Sequence, residues 1–142
     1  MLFAIKNELL LRNTELKNKT LETLYFGGGT PSILEVDEIK MLMDEILKYF
    51  DFSEDIEITL EANPDDLDQK FLKGIAEIGI NRLSIGIQSF YDEDLKLMNR
   101  AHSSSQAESS VKRAQDTGIQ NISVDLIYGA PTSNFEIWKQ NL

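Results

Sequence analysis

"IEITLEANP", Ile56 to Pro64, is the stretch on which the fold turns. Ile58 and Leu60 alternate with Thr59 and Glu61, the two-residue period of a β-strand, and Pro64 stops the run because it brings no N–H to a ladder. On either side the period changes. Ile39, Leu42, Met43, Ile46, Leu47 and Phe50 recur at the spacing of one helix face. So do Phe71, Leu72, Ile75, Ala76 and Ile78, with Gly79 where a helix closes. Further on, "RLSIGIQSF" (Arg82 to Phe90) predicts a strand and "YDEDLKLMNR" (Tyr91 to Arg100) a short helix with acids in its first turn. Ser105 to Thr117 predicts a longer helix ended by Gly118, and "NISVDLIYGAP" (Asn121 to Pro131) another strand. Toward the N-terminus, Leu2, Ile5, Leu9, Leu10 and Leu16 suggest an amphipathic helix before a short strand, Thr23 to Gly27; a last helix starts near Ser133. A helix followed by repeated β-α units implies an α/β fold with about four parallel strands, flanking helices and right-handed crossovers. Pro31, Pro64 and Pro131 all fall just beyond strand ends. No linker or low-complexity segment interrupts the pattern, so residues 1–142 are expected to form a single domain.

Composition narrows the function. A net charge of −10 argues against a nucleic-acid partner, whose phosphates require a basic patch. No apolar run reaches the roughly 18–20 residues of a membrane span. "MLFAIKNELLLRNTELK" has no small-residue cleavage site, so it does not read as a signal peptide and a cytoplasmic location is expected. Cysteine is absent, which excludes disulfides, thiolate catalysis and cysteine-held metal within these residues. With a single histidine, a zinc-type cluster is excluded too.

In a barrel of parallel strands one face of each strand meets the helices and the other faces the axis. Opposite Ile58 and Leu60 lie Thr59 and Glu61; opposite Leu83, Ile85 and Ile87 lie Ser84, Gly86 and Gln88; opposite Ile122, Val124 and Leu126 lie Ser123 and Asp125. Glu61, Gln88 and Asp125 therefore occupy the polar face near the C-terminal ends of successive strands, the rim where barrel active sites lie. Any one of them could simply cap a loop; three at one height in consecutive strands point to a ligand site. "LYFGGGTPSIL" (Leu24 to Leu34) brings three glycines to the same rim, where a ligand could lie against bare backbone. Ser32 and Glu35 fit a Ser-x-x-Glu capping box for the next helix. The glycines match neither a P-loop, for want of the Lys-Ser/Thr pair, nor a dinucleotide fingerprint, and a backbone cradle of this kind suits an amino-acid-like head group equally well.

"LYFGGGTPSIL", "EITLEANPDDL", "GINRLSIGIQSF", "LMNRAH" and "ISVDLIYGAP" together resemble the radical S-adenosylmethionine (SAM) proteins related to oxygen-independent coproporphyrinogen III oxidase. The resemblance covers nearly the whole chain and is nearest to the branch thought to serve as haem chaperones. It implies part of a (β/α)6 partial TIM barrel with SAM across its top. Carried over residue by residue, Gly28, Gly29 and Thr30 would receive the methionyl amino group and adjacent atoms. Glu61 and Asp125 would hold the amino group or ribose hydroxyls, Gln88 would add a further contact, and Arg100 would take the carboxylate. Position alone would make Arg100 a helix-terminal charge. The oxidase relationship implies radical cleavage of SAM and oxidative decarboxylation of coproporphyrinogen III propionates to vinyl groups; the chaperone branch implies binding and transfer of haem. The expected partners are thus SAM and a porphyrinogen or haem.

The sequence also departs from the family. The C-x-x-x-C-x-x-C loop that holds a [4Fe–4S] cluster is missing and would belong upstream of Met1, so the chain is expected to be the central part of a longer protein and inactive alone. Asn99 replaces a usual Gly, a change that a left-handed turn tolerates. Ala130 and Thr132-Ser133-Asn134 replace the usual residues around Pro131. His102 is read as an exposed structural histidine rather than an axial ligand. Two other classes stay open at this point: a phosphate- or sugar-binding barrel enzyme, and a non-catalytic piece with part of a cofactor pocket. Unclosed parallel strands also predict self-association of the isolated chain.

Overall fold

Four parallel strands form one sheet in chain order: β1 (Thr20–Phe26), β2 (Asp51–Ala62), β3 (Arg82–Gln88) and β4 (Asn121–Leu126). The computed structural model describes all residues from Met1 to Leu142. Helix α1 (Leu2–Arg12) precedes β1, α2 (Val36–Ile46) joins β1 to β2, and α3 (Gln69–Glu77) joins β2 to β3. Two helices, α4 (Asp92–Leu97) and α5 (Ser104–Asp116), lie between β3 and β4, and α6 (Phe135–Gln140) follows β4. The α/β fold expected from the alternation is the fold observed. No helix is long and apolar enough to cross a membrane.

The core lies between the sheet and its helices. Ile58, Leu60 and Ala62 of β2 and Leu83, Ile85 and Ile87 of β3 pack against Ile39 and Met43 of α2, Leu72 and Ile75 of α3, and Ala107 and Ala114 of α5. Full burial of one such aliphatic side chain stabilises by about 1.5–3 kcal/mol. The three β3 residues are wholly inaccessible, so that strand is anchored firmly enough to carry polar groups on its other face. Helix entries are fixed by side chains: Asp68 accepts the Phe71 N–H (2.7 Å), and Ser103 and Gln106 cap each other's backbone at α5.

Several local expectations are corrected. The Ser32–Glu35 box does not form. Ser32 is buried; its hydroxyl donates to Asp66 Oδ2 (2.5 Å) and accepts from the Asn63 N–H (3.2 Å), tying the glycine loop to the end of β2. The helix is instead capped one turn later, where the Glu35 N–H donates to Glu38 (3.0 Å). Strand β2 begins at Asp51 rather than Ile56, because the pairing steps from Leu21↔Phe52 to Thr23↔Glu57. Extra residues looped out of β2 reset the alternation there. Strand β3 ends at Gln88 rather than Phe90 because Gln88 takes a left-handed φ of 72°. Asn99 makes the left-handed turn expected of it, at φ 52°. His102 is buried rather than exposed, and its Nε2–H donates to the Ile87 carbonyl (3.1 Å).

Candidate functional site

The inward face of the sheet is polar from bottom to top. At the bottom Arg82 reaches Thr59 (3.2 Å), Ser123 (3.4 Å) and Glu57 (3.8 Å). One level up, Ser123 donates to Ser84 (3.3 Å) and Ser84 donates to Asp125 (3.3 Å). The register places Glu61 beside Ser84, and Ser84 beside Ser123. The β-period thus lifts both carboxylates, Glu61 and Asp125, to the C-terminal rim, as their positions in the sequence required.

Glu61 is the best-defined member. Its Oε1 accepts from the Tyr25 hydroxyl (2.8 Å) and its Oε2 from the Gly28 N–H (2.9 Å). The glycines have separate causes. A Cβ on Gly27 would lie 2.5 Å from the Tyr25 ring and 2.9 Å from Glu61 Oε1, so position 27 has no room for a side chain. Gly28 and Gly29 hold φ of 84° and 70°, the left-handed region, and a Cβ there would meet nothing within 4 Å. One glycine makes space for the carboxylate; the other two turn the backbone and leave an open cradle beside it. Thr30 follows in the same loop and its carbonyl accepts the Ile33 N–H (3.2 Å).

Arg100 and Gln88 form a second group on the rim. Arg100 Nη2 donates to Asn63 Oδ1 (2.9 Å) and to the Gly86 carbonyl (2.8 Å), which leaves Nε and Nη1 for an anion. Gln88 folds back over Gly86, where a Cβ would sit 2.8 Å from its amide nitrogen. Gly28 and Glu61 are in direct contact, Gln88 and Arg100 meet around Gly86, and Asp125 accepts from Ser84, the register partner of Glu61; Gly29 and Thr30 continue the loop from Gly28 and make no hydrogen bond to Glu61, Gln88, Arg100 or Asp125. The apolar hollow of about 480 Å³ under α1 borders Gly27 to Thr30 but none of Glu61, Gln88, Arg100 or Asp125. Tyr25 and Asn63 escaped the sequence reading. Tyr25 could have been found by alternation, since Leu24 and Phe26 on either side pack toward the core. Asn63 lies past the end of β2 and carries no such signal.

The fold is a run of parallel β-α units whose first loop is rich in glycine and free of lysine and arginine, with carboxylates at the same rim. Residues 5–141 match the Radical SAM superfamily, and the chain belongs to it. Within the superfamily it falls in the HemW and HemN branch. It is 40% identical over 121 residues to the heme chaperone HemW of Haemophilus influenzae, covering 85% of this chain and 32% of that protein. It is 40% identical over 129 residues to HemW of Bacillus subtilis, covering 90% and 34%. Coproporphyrinogen III oxidase (HemN) of Escherichia coli, a radical SAM enzyme, superposes with a TM-score of 0.89 at 31% identity over 99% of this chain and 32% of that one. The chain thus spans about a third of the length of the relatives it matches.

The superfamily implies SAM and a [4Fe–4S] cluster. The residues present fit the first: a carboxylate held by two donors, an open glycine cradle and a guanidinium with free N–H groups match an amino-acid head group. They do not fit the second, since none of the 142 residues is a cysteine.

Proposed function

We propose that residues 1–142 act as one domain that holds SAM in a protein of the haem-chaperone kind. The observation that carries this is Glu61, fixed between the Tyr25 hydroxyl and the Gly28 N–H beside an open glycine cradle. Glu61 takes the methionyl ammonium, with Gly28, Gly29 and Thr30 forming the wall. Arg100 takes the carboxylate through the N–H groups that Asn63 and Gly86 leave free. Asp125 and Gln88 receive the ribose hydroxyls. When bound, SAM supplies a sulfonium C–S bond open to one-electron cleavage; this chain's residues bind and orient it. The chaperone reading is favoured over coproporphyrinogen decarboxylation by identity, 34–40% to HemW proteins against 31% to HemN. Haem, rather than a porphyrinogen, is then the cargo of the whole protein.

Isothermal titration of the chain with SAM tests the first part. Binding that weakens at least about tenfold in Glu61→Gln supports it, on the scale of one lost charged contact; equal binding overturns it. Absorbance titration of the longer protein with haem and with coproporphyrin III tests the second, and a preference for coproporphyrin would favour the oxidase.

A further inference from the structure

Tyr25 has a place in the site that the resemblance read from the sequence does not include. Its neighbours Leu24 and Phe26 pack toward the core, while its own ring lies on the inner face against Gly27. The ring is half exposed, so packing alone does not account for a large aromatic residue there. Its hydroxyl donates to Glu61 Oε1 at 2.8 Å while the Gly28 N–H donates to Oε2 at 2.9 Å. A carboxylate has about four lone-pair positions. One donor on each oxygen leaves each oxygen one further position, and together the two donors hold the carboxylate plane fixed.

Without them a glutamate at a rim samples several rotamers, and the freedom lost on binding a ligand lowers affinity. The phenol is suited to the task because it stays protonated. Its ionisation is pushed up, first by the hydrogen bond to Glu61, then by burial and by the Glu61 charge; Asp125 raises it further and Ser84 works the other way.

We propose that Tyr25 is a positioning residue, whose hydroxyl fixes the Glu61 carboxylate for the ammonium of an amino-acid head group. This rests on the assignment of Glu61 to SAM, so the test separates the two. SAM affinity is measured for the wild-type chain, Tyr25→Phe, Glu61→Gln and the double variant. Tyr25→Phe keeps the ring and is expected to weaken binding about five- to tenfold, the effect of one hydrogen bond to a charged group. If Tyr25 acts through Glu61, the double variant binds no more weakly than Glu61→Gln alone. A merely structural tyrosine would instead give effects that multiply, and that result overturns the inference while leaving Glu61 in its role. Unchanged affinity in Glu61→Gln, or no SAM binding by the wild type, overturns the proposed function instead. Hydrogen exchange at the Gly28 amide then decides the positioning role without ligand. Faster exchange in Tyr25→Phe is expected, because a loosened Glu61 releases that N–H; unchanged exchange refutes it.

Discussion

Gly27→Ala should damage the site more than the fold. The new Cβ would sit 2.5 Å and 2.9 Å from Cε1 and Cδ1 of Tyr25 and 2.9 Å from Glu61 Oε1, closer than Cβ atoms approach other groups. Backbone does not have to yield, because both obstacles are side-chain ends. Tyr25 is the one free to leave, since it is half exposed. Its departure takes a donor from Glu61. A hydrogen bond to a charged group contributes about 1.5–3 kcal/mol when buried; at this open rim water replaces much of it, so the loss of stability should stay near ~1 kcal/mol. Binding should suffer more, because the displaced ring and the loosened carboxylate both lie at the proposed head-group site: SAM affinity is expected to fall at least about tenfold. Gly118→Ala is the control. Gly118 has φ of 98° and open space around it, so alanine there meets only backbone strain, about 1–2 kcal/mol. Urea denaturation reads stability and calorimetry reads SAM. Wild-type SAM affinity in Gly27→Ala, or an equal loss of affinity in Gly118→Ala, would refute the reasoning.

Other outcomes follow from the same geometry. The chain alone, incubated anaerobically with iron, sulfide, dithionite and SAM, should form no 5′-deoxyadenosine above that of a Glu61→Ala, Asp125→Ala variant, since it has no cysteine to ligate iron. Strands β1 and β4 each have a single partner, so light scattering at micromolar concentration should find oligomers rather than a clean 16.1 kDa species. The Asp92 carboxyl is held below the usual range by the backbone and side chain of Ser104 at the start of α5, with the backbone N–H at 2.8 Å. A depressed carboxylate contributes above its unfolded pKa and loses that contribution as pH falls through the folded one. Asp92→Asn should therefore flatten the acid side of the stability profile and leave the alkaline side unchanged.

Much of this was legible because a parallel sheet writes its two faces into the chain. Glu61, Ser84 and Asp125 could be placed on one polar face because they stand at odd offsets from the core residues Ile58, Leu83 and Val124, and the structure sets them on adjoining strands. Counting failed where the backbone leaves its period: at the looped-out residues of β2 and at Gln88, whose left-handed φ ends β3 early. Contacts between distant segments were not legible either. Ser32 looked like a cap because Glu35 follows it at capping distance, but its hydroxyl is committed to Asp66 across the rim. His102 carried no periodic signal, and its burial against the Ile87 carbonyl arises only when the link between α4 and α5 folds under the sheet's end. Arg100 was indistinguishable from a helix-terminal charge until Asn63 and Gly86 were seen to hold it at the rim.

The most direct test of the proposed cofactor site is the perturbation of backbone amide resonances of the isotopically labelled chain on titration with SAM. Shifts are expected at Gly28, Gly29, Thr30, Glu61, Gln88, Arg100 and Asp125, on five separated segments of the chain that the fold gathers at one rim. Shifts confined to the apolar hollow under α1, around Ile5, Leu9 and Ile46, or no shifts at saturating SAM, would contradict it.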